Sequence, residues 1–145
     1  MSARVAALRI LANRRLTEAQ LWSRLERKGH RSEEIREAVA DCKRNGYLDD
    51  RLFAALYVEQ KRKPLGNVRL TGELIKRGVD RAIAADAVEH ASDDEAERID
   101  RAIERIFRLK ADTSYPSAAR ALERLGFPAS LIYRKLRVLA QQESG

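Results

Sequence analysis

The chain has few helix-breaking residues, a single cysteine and no long apolar run. Seven glycines and three prolines in 145 residues leave little to interrupt helices, so we expect helix almost throughout. The single cysteine, Cys42, excludes an internal disulfide and suits a reducing compartment, and we expect its thiol to be buried. No stretch reaches the roughly 18 apolar residues of a membrane span, and no secretory signal pattern follows Met1. These absences predict a cytoplasmic, all-α protein that does not enter a membrane.

Patterns that bind cofactors or carry out catalysis are also scarce. The two histidines, His30 and His90, lie far apart in the chain and have no cysteine pair nearby. Gly66 and Gly72 match neither the phosphate-binding loop nor the dinucleotide fingerprint. We therefore expect no metal, no cofactor and no enzymatic activity.

Two pairs of adjacent acids, Asp49-Asp50 and Asp93-Asp94, leave one catalytic alternative open. Neighbouring carboxylates could hold Mg²⁺ for nuclease chemistry. Both pairs, however, fall where a new helix begins, and aspartate is a preferred capping residue there. We favour capping, whereas the nuclease alternative predicts Mg²⁺-dependent cleavage of DNA.

An internal repeat runs through the whole chain. Gly29, Gly78 and Gly126 recur with a period near 50 residues, and a leucine lies four residues before each of them. Such a pattern indicates one helical unit copied three times and stacked. We predict nine helices in three tandem three-helix repeats, residues 1–48, 49–92 and 93–145, which form an elongated, curved array.

Local signals place several helix ends. Thr17 and Gln20 have the spacing of a capping box, in which each side chain bonds the backbone of the other. Gly29 suits the left-handed residue that ends a helix, and Ser32 is expected to cap the helix that follows.

Apolar spacing also predicts which side chains are buried. On the first helix we expect an inner face of Val5, Leu8, Leu11 and Ala12. Six aromatic side chains fall on or beside apolar stripes, so we expect core positions rather than surfaces for stacking on nucleic-acid bases. They are Trp22, Phe53, Tyr57, Phe107, Phe127 and Tyr133.

The basic residues form the strongest functional pattern. A net charge of +7 indicates a polyanionic partner, and residues 1–48 hold eleven Lys and Arg against six Asp and Glu. Basic pairs precede both Gly29 and Gly78, so the repeat could place charge along one edge, where it follows a phosphate backbone or a filament groove. Alternatively, these residues are ordinary solvated faces. The candidate binding residues are Arg14, Arg15, Arg24, Arg27, Lys28, Arg31, Lys61, Arg62, Lys63, Arg69, Lys76, Arg77, Arg134 and Lys135.

Four stretches carry a family resemblance: residues 6–12, 21–29, 46–54 and 73–78. They resemble the RecX regulatory family, which modulates the RecA recombinase, and the string Gly-Tyr-Leu-Asp-Asp at residues 46–50 is the most specific part. The resemblance implies a non-enzymatic protein that binds RecA monomers and RecA–DNA filaments. It also implies restraint of ATP hydrolysis, coprotease activity and strand exchange. We expect the protein to act as a monomer.

Two questions stay open at the level of sequence. Where the family usually shows a Lys-Gly…Gly-Pro run, this chain has Lys-Pro-Leu-Gly-Asn at residues 63–67, so the shape of that loop is undetermined. Three-helix units also resemble helix-turn-helix domains. The alternative function is therefore a stand-alone DNA-binding module of helix-turn-helix-like units, which would bind naked duplex DNA with a sequence preference. The sequence does not decide whether the DNA partner is single- or double-stranded.

Overall fold

The structure is a computed structural model and describes residues 1–144. Within those residues the chain forms nine α-helices and no strand, with three helices in each predicted repeat. The all-α fold class is confirmed; the repeat boundaries and the elongated, curved array stay predictions. The helices are α1 (Ala3–Asn13), α2 (Glu18–Arg27), α3 (Ser32–Arg44), α4 (Asp50–Lys61), α5 (Asn67–Lys76), α6 (Arg81–Glu89), α7 (Glu95–Leu109), α8 (Tyr115–Arg124) and α9 (Ala129–Ser144).

The start of α2 agrees with its sequence signal, and the start of α3 does not. The Thr17 hydroxyl accepts a bond from the Gln20 N–H at 3.1 Å, and the Gln20 side chain accepts from the Thr17 N–H at 3.0 Å. The expectation that Ser32 caps α3 is wrong. Arg31 is the cap residue instead, because its carbonyl accepts the first helical bond, from the Ile35 N–H at 2.9 Å. The Arg31 side chain makes no capping bond.

The described residues divide into two compact units. The first combines Met1–Tyr57 with Glu73–Ala87, and the second combines Val58–Gly72 with the residues from Val88 onward. The boundaries between the units therefore fall inside α4, α5 and α6.

Each unit has its own hydrophobic core. In the first, α1, α2 and α3 enclose Leu21, Leu25 and Ile35, and the predicted burial of Cys42 is confirmed. Burial raises the pKa of the Cys42 thiol, which makes it a poor nucleophile. In the second, α7, α8 and α9 pack around a core that includes Leu122.

The predicted inner face of α1 is wrong except at Leu11, which is partly buried against the core. Val5 and Leu8 are 43% and 39% exposed, whereas Ala3, Ala6 and Ala7 are buried. Helix α1 carries two competing apolar stripes, and the one that begins with these small alanines packs against α3, while Ala12 lies in solvent. Small side chains allow two helices to approach closely, which the spacing of larger apolar residues did not reveal.

The core prediction for Tyr133 is also wrong, since its side chain is 62% exposed. Helix α9 buries Leu131, Ile132 and Leu136 instead. Successive helical residues point about 100° apart, so Tyr133 turns away from the core although it follows Ile132 directly. Phe127 is buried as predicted, and Trp22 and Phe107 are partly buried against the cores of the first and second unit.

The three repeat glycines all adopt the left-handed conformation expected after a helix, with φ of +92° at Gly29 and Gly78 and +94° at Gly126. Gly78 lies so close to Ala19 that a Cβ would overlap the Ala19 Cβ, and a Cβ on Gly126 would overlap that of Arg69. These contacts occur where one repeat meets the next, once in each unit.

We call the meeting points in the first and second unit the first and second junction, and each contains a similar hydrogen bond. In the first unit the Thr17 hydroxyl donates to the Arg77 carbonyl at 2.6 Å, and in the second the Gly66 N–H donates to the Leu125 carbonyl at 2.8 Å. Each acceptor is the residue just before a repeat glycine. The sequence repeat is therefore also a repeat of contacts.

A carboxylate completes each junction. The Glu18 N–H donates to Asp50 at 2.9 Å, and the Asn67 N–H donates to Glu95 at 2.5 Å. Asp50 and Glu95 are the first residues of α4 and α7, while Glu18 and Asn67 are the first residues of α2 and α5. The carboxylate thus satisfies a helix N–H that would otherwise lack a partner.

Candidate polyanion-binding groove

The first unit contains an open groove between α2 and α5, which we call the α2–α5 groove. Its volume is about 480 Å³. Two features place its walls: the capping box fixes the start of α2, and the first junction holds the end of α5 against that start. The lining residues are Arg14, Leu16, Ala19, Gln20, Ser23, Arg24, Arg27, Glu73, Lys76, Arg77 and Gly78.

Positive charge dominates the α2–α5 groove, which has five basic side chains and one acidic. Most of the basic residues lie in the last turns of α2 and α5, where the partial negative charge of the helix end stabilises cations. The single acidic residue, Glu73, pairs with Arg77 at 2.8 Å. The groove therefore keeps an excess of positive charge available to an anion.

Arg77 is held more firmly than the other basic residues. Its guanidinium lies 4.7 Å from the centre of the Tyr57 ring and also donates to the Glu73 carbonyl at 3.0 Å. Its carbonyl accepts the junction bond from Thr17. Arg77 thus builds the wall of the groove, and its charge is partly balanced by Glu73.

The other candidate residues of the first unit lie outside this groove. Arg15 lines a neighbouring cavity of about 540 Å³, which shares Arg14 with the groove and lies beside the exposed Tyr47. Lys28 ends α2 and is exposed, and Arg31 pairs with Glu34 at 3.6 Å. The structure thus brings together five of the eight candidates that belong to this unit.

The candidates in the first part of the second unit differ in how free they are. Lys61 and Lys63 are exposed. Arg62 is largely buried and pairs with Glu59 at 3.1 Å and Asp93 at 3.4 Å, so it ties α4 to the turn before α7. Arg69, although exposed, donates to the Arg124 carbonyl at 3.1 Å. Arg62 and Arg69 are thus engaged within the fold.

The two candidates on α9 also differ. Arg134 is exposed, and Lys135 pairs with Asp100 at 3.0 Å. Surface ion pairs of this kind contribute little to stability and break readily in favour of another anion.

Sequence reasoning missed a buried arginine. Arg98 is 1% exposed, pairs with Asp93 at 3.1 Å, and donates to the Leu65 carbonyl at 2.6 Å and to the Asn67 side chain. It thereby fixes the loop before α5, whose shape the sequence left open. The available signal was its position next to Ile99, at the edge of the apolar stripe of α7.

The acidic pair Asp49-Asp50 serves helix ends. Asp49 accepts from the Leu52 N–H at 3.1 Å at the start of α4, and Asp50 accepts from Glu18 in the first junction. Burial raises the pKa of the Asp50 carboxyl, against the opposing effect of the Glu18 hydrogen bond. No group of three or more potential metal ligands occurs within residues 1–144.

The described helices also differ from membrane segments: across residues 1–144, none combines the length and the apolar composition needed to cross a bilayer.

The fold and the α2–α5 groove define an all-α repeat protein with a cationic surface. The chain belongs to the RecX family, because the family models for the first and second three-helix domains of RecX match residues 3–42 and 49–88.

Individual relatives agree with this membership. The regulatory protein RecX of Caldanaerobacter subterraneus subsp. tengcongensis is 39% identical over 84 residues, which cover 57% of this chain and 43% of that relative. The regulatory protein RecX of Thermus thermophilus is 32% identical over 137 residues, which cover 94% of this chain and 91% of the relative. The crystal structure of RecX from Lactobacillus salivarius superposes with a TM-score of 0.83 over 96% of this chain and 95% of that one. Its identity is 20%, so it supports the fold alone.

Proposed function

We propose that this protein is a cytoplasmic, non-enzymatic regulator that binds the RecA recombinase and its DNA filament. In this proposal the free protein is a monomer, and it modulates, mainly by inhibition, ATP hydrolysis, coprotease activity and strand exchange. Membership of the RecX family supports RecA as the partner, because the chain is 32% identical to a regulatory protein RecX across 94% of its length.

The α2–α5 groove is the observation that carries the proposal for the binding surface. Its lining holds five basic residues, Arg14, Arg24, Arg27, Lys76 and Arg77, and one acidic residue, Glu73, which pairs with Arg77. A surface of this charge suits either DNA phosphates or an acidic face of the recombinase. Lys28 and Arg31, in the same unit, are exposed and extend the same electrostatic contact.

The proposal gives the Asp49-Asp50 pair no catalytic role, because both carboxylates already have a structural one. Both members of the Asp49-Asp50 pair bond helix N–H groups, which is a structural use of these carboxylates. We therefore assign regulation to binding, in which the protein changes the activity of RecA by occupying the filament.

A titration of RecA ATPase on single-stranded DNA tests partner and electrostatics together. We expect the protein to inhibit ATP hydrolysis, and we expect a higher concentration to be needed when salt rises from about 50 to about 200 mM, because added ions compete for the cationic surface. No inhibition at either salt concentration would contradict the proposal. Sequence-selective binding to naked duplex DNA without any effect on RecA would instead favour a stand-alone DNA-binding module.

A further inference from the structure

The third repeat has an open apolar groove that the proposed function does not use. Helices α8 and α9 enclose about 460 Å³, and the apolar and aromatic lining consists of Tyr115, Pro116, Ala119, Tyr133, Leu136 and Ala140. Tyr133 is the aromatic residue that we expected in the core, and it is 62% exposed here. An exposed aromatic ring beside apolar residues is typical of a surface that another molecule covers. We call this surface the α8–α9 groove.

The corresponding surface of the first repeat contacts the repeat that follows it. Counting from the repeat glycines, Pro116 and Ala119 correspond to Ala19 and Trp22. In the first unit, those two residues line a cavity of about 720 Å³ together with Gly78, Asp80 and Ile83 of the second repeat. The α8–α9 groove is thus the surface on which a further repeat would pack, and no residue within 1–144 does so.

The first repeat presents the matching surface, also uncovered. Gly29 has the same backbone conformation as Gly78 and Gly126, yet a Cβ on Gly29 would meet nothing within 4 Å. At both internal junctions the corresponding glycine lies directly against the preceding repeat. The molecule therefore carries, on different repeats, the two halves of a contact that it makes twice internally.

The two surfaces also carry charges of opposite sign. The α8–α9 groove carries Arg120 and Arg137 against Glu123, and the first turn of α3, just after Gly29, carries Glu33 and Glu34 beside the basic Lys28 and Arg31. Glu34 pairs with Arg31 at 3.6 Å, so we expect Glu33 to be the main acidic contact for the arginines of the groove. We propose that the α8–α9 groove of one copy binds the Gly29 turn and the start of α3 of a second copy. Because the two surfaces differ, a dimer still offers one of each, and further copies can join head to tail.

This contact is weaker than the internal junctions. Each internal junction has a carboxylate from the next repeat, Asp50 or Glu95, but the first turn of α1 contains no acidic residue. We therefore expect dilute protein to be monomeric and contacts to form when copies are close together. Alignment of neighbouring copies along a RecA filament is one such condition, and that statement alone rests on the proposed function.

Cross-linking between introduced cysteines tests the contact without RecA or DNA. In the first unit, Asp80 lines the same cavity as Trp22. At the proposed contact, Arg31 of one copy corresponds to Asp80, and Ala119 of the other copy corresponds to Trp22. The variant with Arg31→Cys and Ala119→Cys should give dimers and larger species with a short thiol cross-linker at high protein concentration. Cys42 is buried and adds little background. The matched control replaces Ala119→Cys by Ala129→Cys, an exposed site on α9 outside the groove.

We expect severalfold more cross-linked product from the first variant than from the control, and equal amounts would overturn the proposal. Adding Tyr133→Asp should lower the yield severalfold, whereas Tyr47→Asp, at a residue 57% exposed in the first unit, should not. An unchanged yield with Tyr133→Asp would show that the α8–α9 groove is not the contact surface. Inhibition of RecA by the unmodified chain is measured separately, so the two proposals can fail independently.

Discussion

At the scale of single residues, Asp50 is subject to two opposing effects. Its carboxylate accepts the Glu18 N–H at 2.9 Å in the first junction, which favours the charged form. Burial disfavours the charged form more strongly, so the pKa of Asp50 lies above its ordinary value of 3.8. The junction therefore has a pH-dependent component.

Asp50→Asn should reveal that component, since asparagine keeps an oxygen that can accept the Glu18 N–H. A carboxyl whose pKa is raised on folding contributes stability below its ordinary pKa, and the contribution is lost as pH rises through the raised value. The free energy of unfolding of the variant should therefore rise relative to the parent chain over that interval. Urea denaturation followed by circular dichroism at stepped pH measures this, and Asp49→Asn corrects for the loss of one charge. A relative fall with rising pH would contradict the assignment.

Arg77 shows which site features a sequence can predict and which it cannot. Its position before Gly78 predicted a basic residue at a repeated location. Its stacking on Tyr57 and the bond from Thr17 to its carbonyl depend on residues 20 and 60 positions away, which no local pattern connects. The candidate residue was therefore predictable, but its role in the groove wall was not.

At the scale of helices, the repeat glycines perform one task in common and one that differs. All three end a helix in the left-handed conformation, which only glycine adopts without strain. Gly126 additionally lies against Arg69, whereas a Cβ added to Gly29 would meet nothing within 4 Å.

Replacing each glycine by alanine separates these tasks. Gly29→Ala should lower the free energy of unfolding by about 1–2 kcal/mol, the cost of a left-handed alanine. Gly126→Ala should cost about 1–3 kcal/mol more, because its Cβ would also overlap Arg69. Denaturant unfolding of the two variants in parallel gives the difference. Equal losses would mean that the second junction yields to the added methyl group without cost.

The predictability of the helices follows the range of the interactions that fix them. The capping box at Thr17 and the end of α2 at Gly29 depend on residues within a few positions, and the sequence located both. The buried face of α1 and the exposure of Tyr133 depend on which neighbouring helix packs closest. Tertiary packing chose between apolar stripes that the sequence alone left nearly equivalent.

At the scale of the whole molecule, the α2–α5 groove exists because the repeat brings distant residues together. Arg24 and Arg27 belong to the first repeat, and Lys76 and Arg77 belong to the second. The repeated basic pairs predicted a cationic surface. The contact between Gly78 and Ala19 holds the end of α5 against the start of α2, and this determines which basic residues share a groove. Candidates such as Arg62 turn out to be bound within the fold instead.

Charge reversal in the groove tests the central claim most directly. Arg27→Glu with Lys76→Glu changes two exposed lining residues and leaves Arg77, which holds the groove wall, intact. The control, Arg9→Glu with Arg105→Glu, makes the same change in net charge at exposed helix positions outside every candidate site. We expect the groove variant to need at least about tenfold more protein than the control to inhibit DNA-dependent ATP hydrolysis by RecA, with an unchanged melting temperature, because like charges now repel the polyanion. Equal inhibition by the two variants would contradict the assignment of the α2–α5 groove as the binding surface.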